Sequence, residues 1–237
     1  MHPSSTDLEH RIAGIAALDQ PLRRNLYRLL SDSDGWTTRD EAAAALGVAR
    51  SVAAFHLDKL ADAGVLDVTY QRTTGRTGPG AGRPAKLYRP REDEVSVSVP
   101  ERRYDLAGSL LATAIDEADR TGAPTADVLS TTAYAVGREI GEETRDAARS
   151  LERGDDRRHA VLDVLARHGY QPELADHDEI ALANCPFHRL AQEHRTLVCG
   201  MNHDFVRGLL DGMGSTDQLA ARLAPEPGYC CVRIAAA

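Results

Sequence analysis

Residues 36–70 read WTTRDEAAAALGVARSVAAFHLDKLADAGVLDVTY, and residues 82–90 close the same pattern with GRPAKLYRP. Thr38 and Glu41 stand three apart, the spacing of a capping box, ahead of a short alanine-rich run that Gly47 ends with a turn. Val48 is expected to plug that turn into a core. A second helix is expected from Arg50 to Ala63, stopped by Gly64. Its buried side should carry Val52, Ala53, Leu57 and Leu60, and the other side Arg50, Ser51, Ala54, Phe55, Asp58 and Lys59. The N-cap position of this helix holds Ala49, a poor cap. Upstream, Asp19 is a candidate cap for a helix with Pro21 in its first turn, where the missing N–H costs nothing. Leu22, Leu26, Leu29 and Leu30 follow at helical spacing, and residues 32–35 break the run.

Downstream, Val65 to Gln71 alternates as a strand and Ala85 to Arg89 reads as its return partner. Between Val68 and Arg91 lie Arg72, Arg76, Arg83, Lys86, Arg89 and Arg91 and no acidic residue. Glycines that let a backbone approach closely, with arginines that neutralise phosphate, suit an anion-binding hairpin. A basic flexible linker is the competing reading, and the flanking strands argue against it. Two helices joined by a tight turn and followed by a basic hairpin make a winged helix-turn-helix, whose partner is double-stranded DNA. The helix starting at Arg50 is then the recognition helix. Arg50 can reach a guanine or a phosphate, and Ser51 a phosphate or a base edge. Phe55, His56 and Lys59 complete the candidate surface on the helix, with Arg72, Arg76, Arg83 and Lys86 on the wing. His56, near the shoulder of the helix, has packing or solvation as its alternative role.

The run FHLDKL, followed by AGVL, and the GRPAKLYR strand resemble winged-helix regulators of the ArsR and DeoR type. The resemblance covers about the first 90 residues. It implies DNA binding and leaves the sensed signal open.

The chain has 237 residues, 42% of them hydrophobic, and a net charge of −8. That length suits two small domains. The charge argues against DNA only until it is divided. Residues 1–90 hold 12 basic and 10 acidic side chains, net +2, and residues 91–237 hold 16 and 26, net −10. Positive charge therefore concentrates at the wing, and the acidic half can face away from DNA. No apolar run is long enough to span a bilayer and no segment reads as a signal peptide, so a cytoplasmic location is expected.

Residues 90–100 read as a polar hinge with one short strand-like run. Helical patterns follow. Over residues 101–120, Leu106, Leu110, Leu111 and Ile115 share a face. Over residues 127–151, Val128, Ala133, Val136, Ile140 and Ala147 do so. A third helix is expected from Arg157 to Arg167, stopped by Gly169. Strands are expected at residues 170–175 and 179–183, a helical region at 186–213, and closing strands at 218–223 and 230–234. The expectation is an α+β chain, an N-terminal winged helix-turn-helix at residues 1–95 followed by a C-terminal α/β sensor and dimerisation domain at residues 96–237. A homodimer is expected because two half-sites need two copies.

All four cysteines, Cys185, Cys199, Cys230 and Cys231, fall in the last 53 residues, with His188, His194 and His203 among them. In a cytoplasmic chain such clustering points to metal or redox chemistry more than to disulfides. On one unbroken helix Cys185 and Cys199 would stand roughly 21 Å apart, at about 1.5 Å per residue. Joint ligation therefore needs a break, for which residues 194–196 are the best candidate, with Thr196 as the next cap. Neighbours on a strand face opposite ways, so only one of Cys230 and Cys231 is expected to join Cys185 and Cys199. The fourth ligand is open, a histidine such as His188, a small molecule, or none. Soft thiolates suit an iron–sulfur cluster or zinc alike.

The segment NCPFHRLAQEHRTLVC, followed by PGYCCV, resembles the sensor domain of SufR-type iron–sulfur winged-helix repressors. The resemblance implies a cysteine-ligated [4Fe–4S] cluster and a repressor whose DNA affinity follows it. A zinc-responsive regulator and a metal-free regulator of a small ligand are the alternatives. A cysteine-dependent enzyme, with Cys185 as nucleophile and His188 as base, is the competing class. No third orienting residue is visible for it.

Overall fold

In the computed structural model, the structure describes residues 5–71, 84–92, 95–150, 157–175 and 179–237. The chain separates into two compact units, Pro3–Val97 and Ser98–Ala237. No helix among the described residues is long and apolar enough to cross a membrane.

The first unit contains α1 (Ser5–Ala17), α2 (Pro21–Ser31), β1 (Thr37–Thr38), α3 (Arg39–Leu46), α4 (Arg50–Asp62), β2 (Leu66–Gln71) and β3 (Ala85–Pro90). The cap of α2 is Gln20, not Asp19. Pro21 opens the helix, so the residue directly before it holds the capping position, and the Gln20 side chain accepts from the Arg23 N–H at 2.7 Å. The Asp19 carbonyl accepts instead from the Arg24 guanidinium. Thr38 and Glu41 form the expected capping box at α3. Gly47 closes that helix at φ 63°, a conformation that a β-carbon would oppose. Ala49 caps α4 without a side-chain hydrogen bond.

Leu26, Leu30, Leu57, Leu60 and Tyr88 meet in the core of this unit. Val52 is not part of it and is 39% exposed. The buried stripe of α4 runs Ala53, Leu57, Leu60, and a residue one position before it turns about 100° away. Val48 is half-buried. The wing strands pair antiparallel with Val68 opposite Tyr88. Strand β1, which sequence periodicity does not reveal, adds a third strand by pairing Thr37 with Tyr88 and Thr38 with Leu87. Among the described residues from 91 to 100 there is no strand.

The second unit contains α5 (Tyr104–Thr121), α6 (Thr125–Ser150), α7 (Arg157–Arg167), β4 (Pro172–Leu174), β5 (Ile180–Leu182), α8 (His188–Glu193), α9 (Arg195–Gly212), β6 (Leu219–Leu223) and β7 (Val232–Ala236). The strands form an antiparallel sheet in the order β4-β5-β7-β6. Helix α9 packs on α6 and also on β6 and β7, so nearly its whole circumference is buried. The buried stripe of α5 is Ala107, Leu110, Ala114 and Ala118, whereas Ile115 is 50% exposed. On α6, Ala147 is exposed.

The α6–α9 contact is built on glycine. A β-carbon at Gly137 would lie 2.0 Å from the Phe205 carbonyl oxygen, and one at Gly141 2.3 Å from that of Leu209. From the other side, β-carbons at Gly208 and Gly212 would lie 2.0 and 2.1 Å from the carbonyl oxygens of Tyr134 and Arg138. Side-chain bonds flank the ladder, Ser130 to Asp204 and Tyr134 to Asp211, each at 2.6 Å. This contact fixes the helix that carries Cys199.

Candidate functional site

Helix α4 presents Ser51, Phe55 and Lys59 to solvent, and Phe55 is 56% exposed. An exposed aromatic ring at this place can meet the methyl group of a thymine. Lys59 stands 6.0 Å from the Phe55 ring centroid. Arg50 forms an ion pair with Asp40 of α3, and both side chains are more than half exposed. Exposed pairs contribute about 0–1 kcal/mol, so a phosphate or base edge can take the guanidinium from Asp40 at small cost. His56 is half-buried with its ring against Phe55, and its Nδ1 has no hydrogen-bond partner. Burial and the nearby Arg23 charge lower its pKa and favour the neutral ring.

Lys86 is placed differently from the other basic candidates. Its Nζ lies 2.6 Å from Asp58 Oδ1, which also accepts from the Tyr88 hydroxyl at 2.8 Å. Burial pushes the Asp58 carboxyl up, but the bonds from Lys86 and Tyr88 and the charges of Lys86 and Arg39 outweigh it, and the pKa is lowered. Lys86 therefore ties wing strand β3 to α4 with its charge already paired. Arg89, on the same strand, stacks on Trp36 at 4.7 Å and pairs with Asp67. Arg72, Arg76 and Arg83 lie outside the described residues.

In the second unit four cysteines from three places come together. Cys185 sits in the turn between β5 and α8, Cys199 in the first half of α9, and Cys230 and Cys231 in the bend that precedes β7. The long separation of Cys185 from Cys199 is resolved by the break between α8 and α9. It falls at His194, with φ −128° and ψ 52°, and His194 rather than Thr196 holds the capping position.

Cys230 and Cys231 are not held to opposite faces of a strand. Strand β7 begins at Val232, so alternation of faces does not govern the preceding bend. Cys185 and Cys231 lie near enough to Cys230 for the thiols to shift one another's acidity. Cys199 also acts on both Cys185 and Cys231, so the four thiols form one interacting cluster.

The electrostatics follow from that cluster. Cys230 receives bonds from Cys185 and Cys231, from the Val232 backbone and from Asn202, and together these outweigh its burial and lower its pKa. Asn202 Nδ2 donates to Cys230 Sγ at 3.2 Å, and its Oδ1 accepts from the buried Tyr170 hydroxyl. The hydrogen bond to Cys230, then burial, raise both Cys185 and Cys231. Burial first, then the charges of Cys230, Cys185 and Cys231, push the Tyr170 phenol well above its usual value. Asn202 and Tyr170 are supporting residues that sequence reasoning missed, because their partners lie about 30 residues away.

His188 and His203, on helices α8 and α9, have polar partners other than the sulfurs. His188 is exposed and its Nε2 lies 3.1 Å from Gln192 Nε2. His203 faces Ala221 O at 3.2 Å. Among the described residues no group of three or more His, Cys, Asp or Glu side chains is set to hold a metal ion.

A short helix, a tight αL turn, a helix with an exposed polar and aromatic face, and a β-hairpin packed beside it define a winged helix-turn-helix DNA-binding unit. Residues 18–69 match the helix-turn-helix domain family, and the protein is a DNA-binding transcriptional regulator. No curated protein and no solved structure matches the chain.

Proposed function

We propose that the protein is a homodimeric repressor, similar to the ArsR and DeoR types, whose operator affinity follows the state of its cysteine site, and that the occupant of this site is a [4Fe–4S] cluster. The observation that carries the reading is the convergence of four thiols from three separate elements. Four soft sulfur donors match the ligand demand of such a cluster in kind and number. Zinc draws on the same sulfur donors, and the metal and sulfide analysis below separates the two. Cys185, Cys199, Cys230 and Cys231 would hold the cluster, and His188 is left out.

Ligation requires thiolate. Each of the four thiols would give up its proton on binding. The bound cluster would supply a redox- and oxygen-sensitive tie between the Cys185 turn, α9 and the bend before β7. On the DNA side Arg50 and Ser51 would meet base edges or phosphate, Phe55 a thymine methyl, and Arg72, Arg76 and Arg83 phosphates.

Anaerobic reconstitution with ferrous iron and sulfide tests the reading, followed by iron and sulfide analysis and titration of an operator obtained by selection from random duplexes. Loaded and chelator-stripped protein should differ by about 1–3 kcal/mol in operator affinity, the usual range of allosteric coupling. Cys185→Ser and Cys199→Ser should behave as stripped protein and keep their nonspecific binding. A colourless protein with stoichiometric zinc would replace the cluster by a zinc site. Thiol-dependent turnover lost in Cys185→Ser would favour an enzyme.

A further inference from the structure

The second unit begins with a segment of six residues, Ser98 to Arg103, that leads directly from the DNA-binding unit into α5. This segment is fastened to the turn that carries Cys185. The Arg102 guanidinium Nη1 donates to Asn184 Oδ1 and, at 3.1 Å, to the Cys185 carbonyl. Asn184 is buried, and its Nδ2 donates back to the Glu101 carbonyl at 2.9 Å. The Arg103 N–H donates to the Pro186 carbonyl at 3.1 Å. Four hydrogen bonds thus join three consecutive residues of the segment to three consecutive residues of the turn. Within the segment, the Arg102 N–H donates to Ser98 Oγ at 2.8 Å, which shapes the bend.

The link meets the cysteine site at its own backbone. Cys185 offers its carbonyl to Arg102 and its thiol to Cys230. A main-chain rotation that re-aims the thiol also turns this carbonyl. Pro186 has a fixed φ and restricts the residue before it, so little of that motion can be absorbed locally. A guanidinium, planar and with several donors, can hold a side-chain oxygen and a carbonyl at once, which an ammonium point charge does less well.

Resting on the reading that the cysteine site sets operator affinity, we propose that Arg102 and Asn184 are positioning residues that couple it to DNA binding. They hold the Ser98–Arg103 segment to the Cys185 turn, so that a change at the thiols is delivered to the chain entering the DNA-binding unit. Their role is transmission. Neither is needed to bind iron or to touch DNA.

The test uses the full chain, loaded anaerobically with ferrous iron and sulfide or stripped with chelator. Operator affinity is measured at fixed salt, and backbone hydrogen exchange is followed over residues 98–104. Wild type should show a five- to 150-fold affinity ratio between the two forms, together with a change of exchange in this segment. Arg102→Ala should keep the iron and sulfide content and the nonspecific affinity of wild type. Its ratio should collapse toward one, and the segment should exchange fast in both forms. If Arg102→Ala does not fold, Arg102→Lys and Ser98→Ala decide, and a reduced ratio in both supports the coupling.

A wild-type ratio in the folded Arg102 variants would overturn the coupling and leave the proposed function standing. Equal affinity of loaded and stripped wild type would overturn the proposed function, and the coupling with it.

Discussion

Replacement of Gly137 by alanine tests the helix contact beneath the cysteine site. The new β-carbon would lie 2.0 Å from the Phe205 carbonyl oxygen, 2.9 Å from its carbon and 3.0 Å from the Leu209 nitrogen. Ordinary contact begins at 3.4 Å, so the local separation must grow by about 1.4 Å. All three opposing atoms are backbone, and no side-chain rotation can relieve them. Alanine in a helix interior is otherwise favoured over glycine by about 0.8–1.0 kcal/mol. Overpacking costs about 1–3 kcal/mol and occasionally more, and a clash with rigid backbone belongs at the upper end. The net expectation is a loss of about 2 kcal/mol, a fall of about 4–8 °C in the unfolding midpoint for a unit of this size.

Gly108, in α5 with nothing within 4 Å of its would-be β-carbon, is the internal control. Its alanine variant should be more stable than wild type by about 0.5–1 kcal/mol. Thermal and urea unfolding in reducing buffer, followed by circular dichroism, measures both. The pair Gly137→Ala and Gly208→Ala should be less than additive, because either one already parts the helices. A Gly137→Ala protein as stable as Gly108→Ala would refute the close-contact reasoning.

Arg50→Ala should weaken operator binding by about 1–3 kcal/mol in a fluorescence titration, with almost unchanged stability because its ion pair with Asp40 is exposed. Thr38→Ala removes the side chain that accepts from the Glu41 N–H at 3.2 Å and should cost about 1 kcal/mol in urea unfolding. The lowered pKa of Asp58 has a definite sign: its stabilisation is complete above the unfolded carboxyl value of about 3.9 and is lost as pH falls through the folded one. Wild type should therefore lose stability more steeply than Asp58→Asn below about pH 5, and parallel acid limbs would reject the role given to the Lys86–Asp58–Tyr88 cluster.

The DNA-binding unit was legible in the residues because its decisive devices are local. A capping box spans three residues, the αL turn at Gly47 is a single backbone conformation, and a hairpin strand shows its alternation within six positions. Even there, Gln20 displaced Asp19 as cap, and β1 went unseen because two threonines have no periodicity. The sequence also showed that the cysteines cluster near one end and that the helix between Cys185 and Cys199 must break if the two are to ligate jointly. What it could not contain was distance between remote residues.

Tertiary structure placed Cys230 and Cys231 in a bend ahead of their strand, where alternation of faces does not separate them, and left His188 facing Gln192. It set Asn202 and Tyr170 behind Cys230 and brought the Arg102 guanidinium to the Cys185 carbonyl across more than 80 residues. The spacings of Gly137 with Gly141 and of Gly208 with Gly212 stand in the sequence, but only packing shows that each glycine meets the other helix's carbonyls. Hydrogen bonds along one helix or hairpin follow from neighbours in the chain, whereas burial and thiol contacts depend on which elements the core brings face to face.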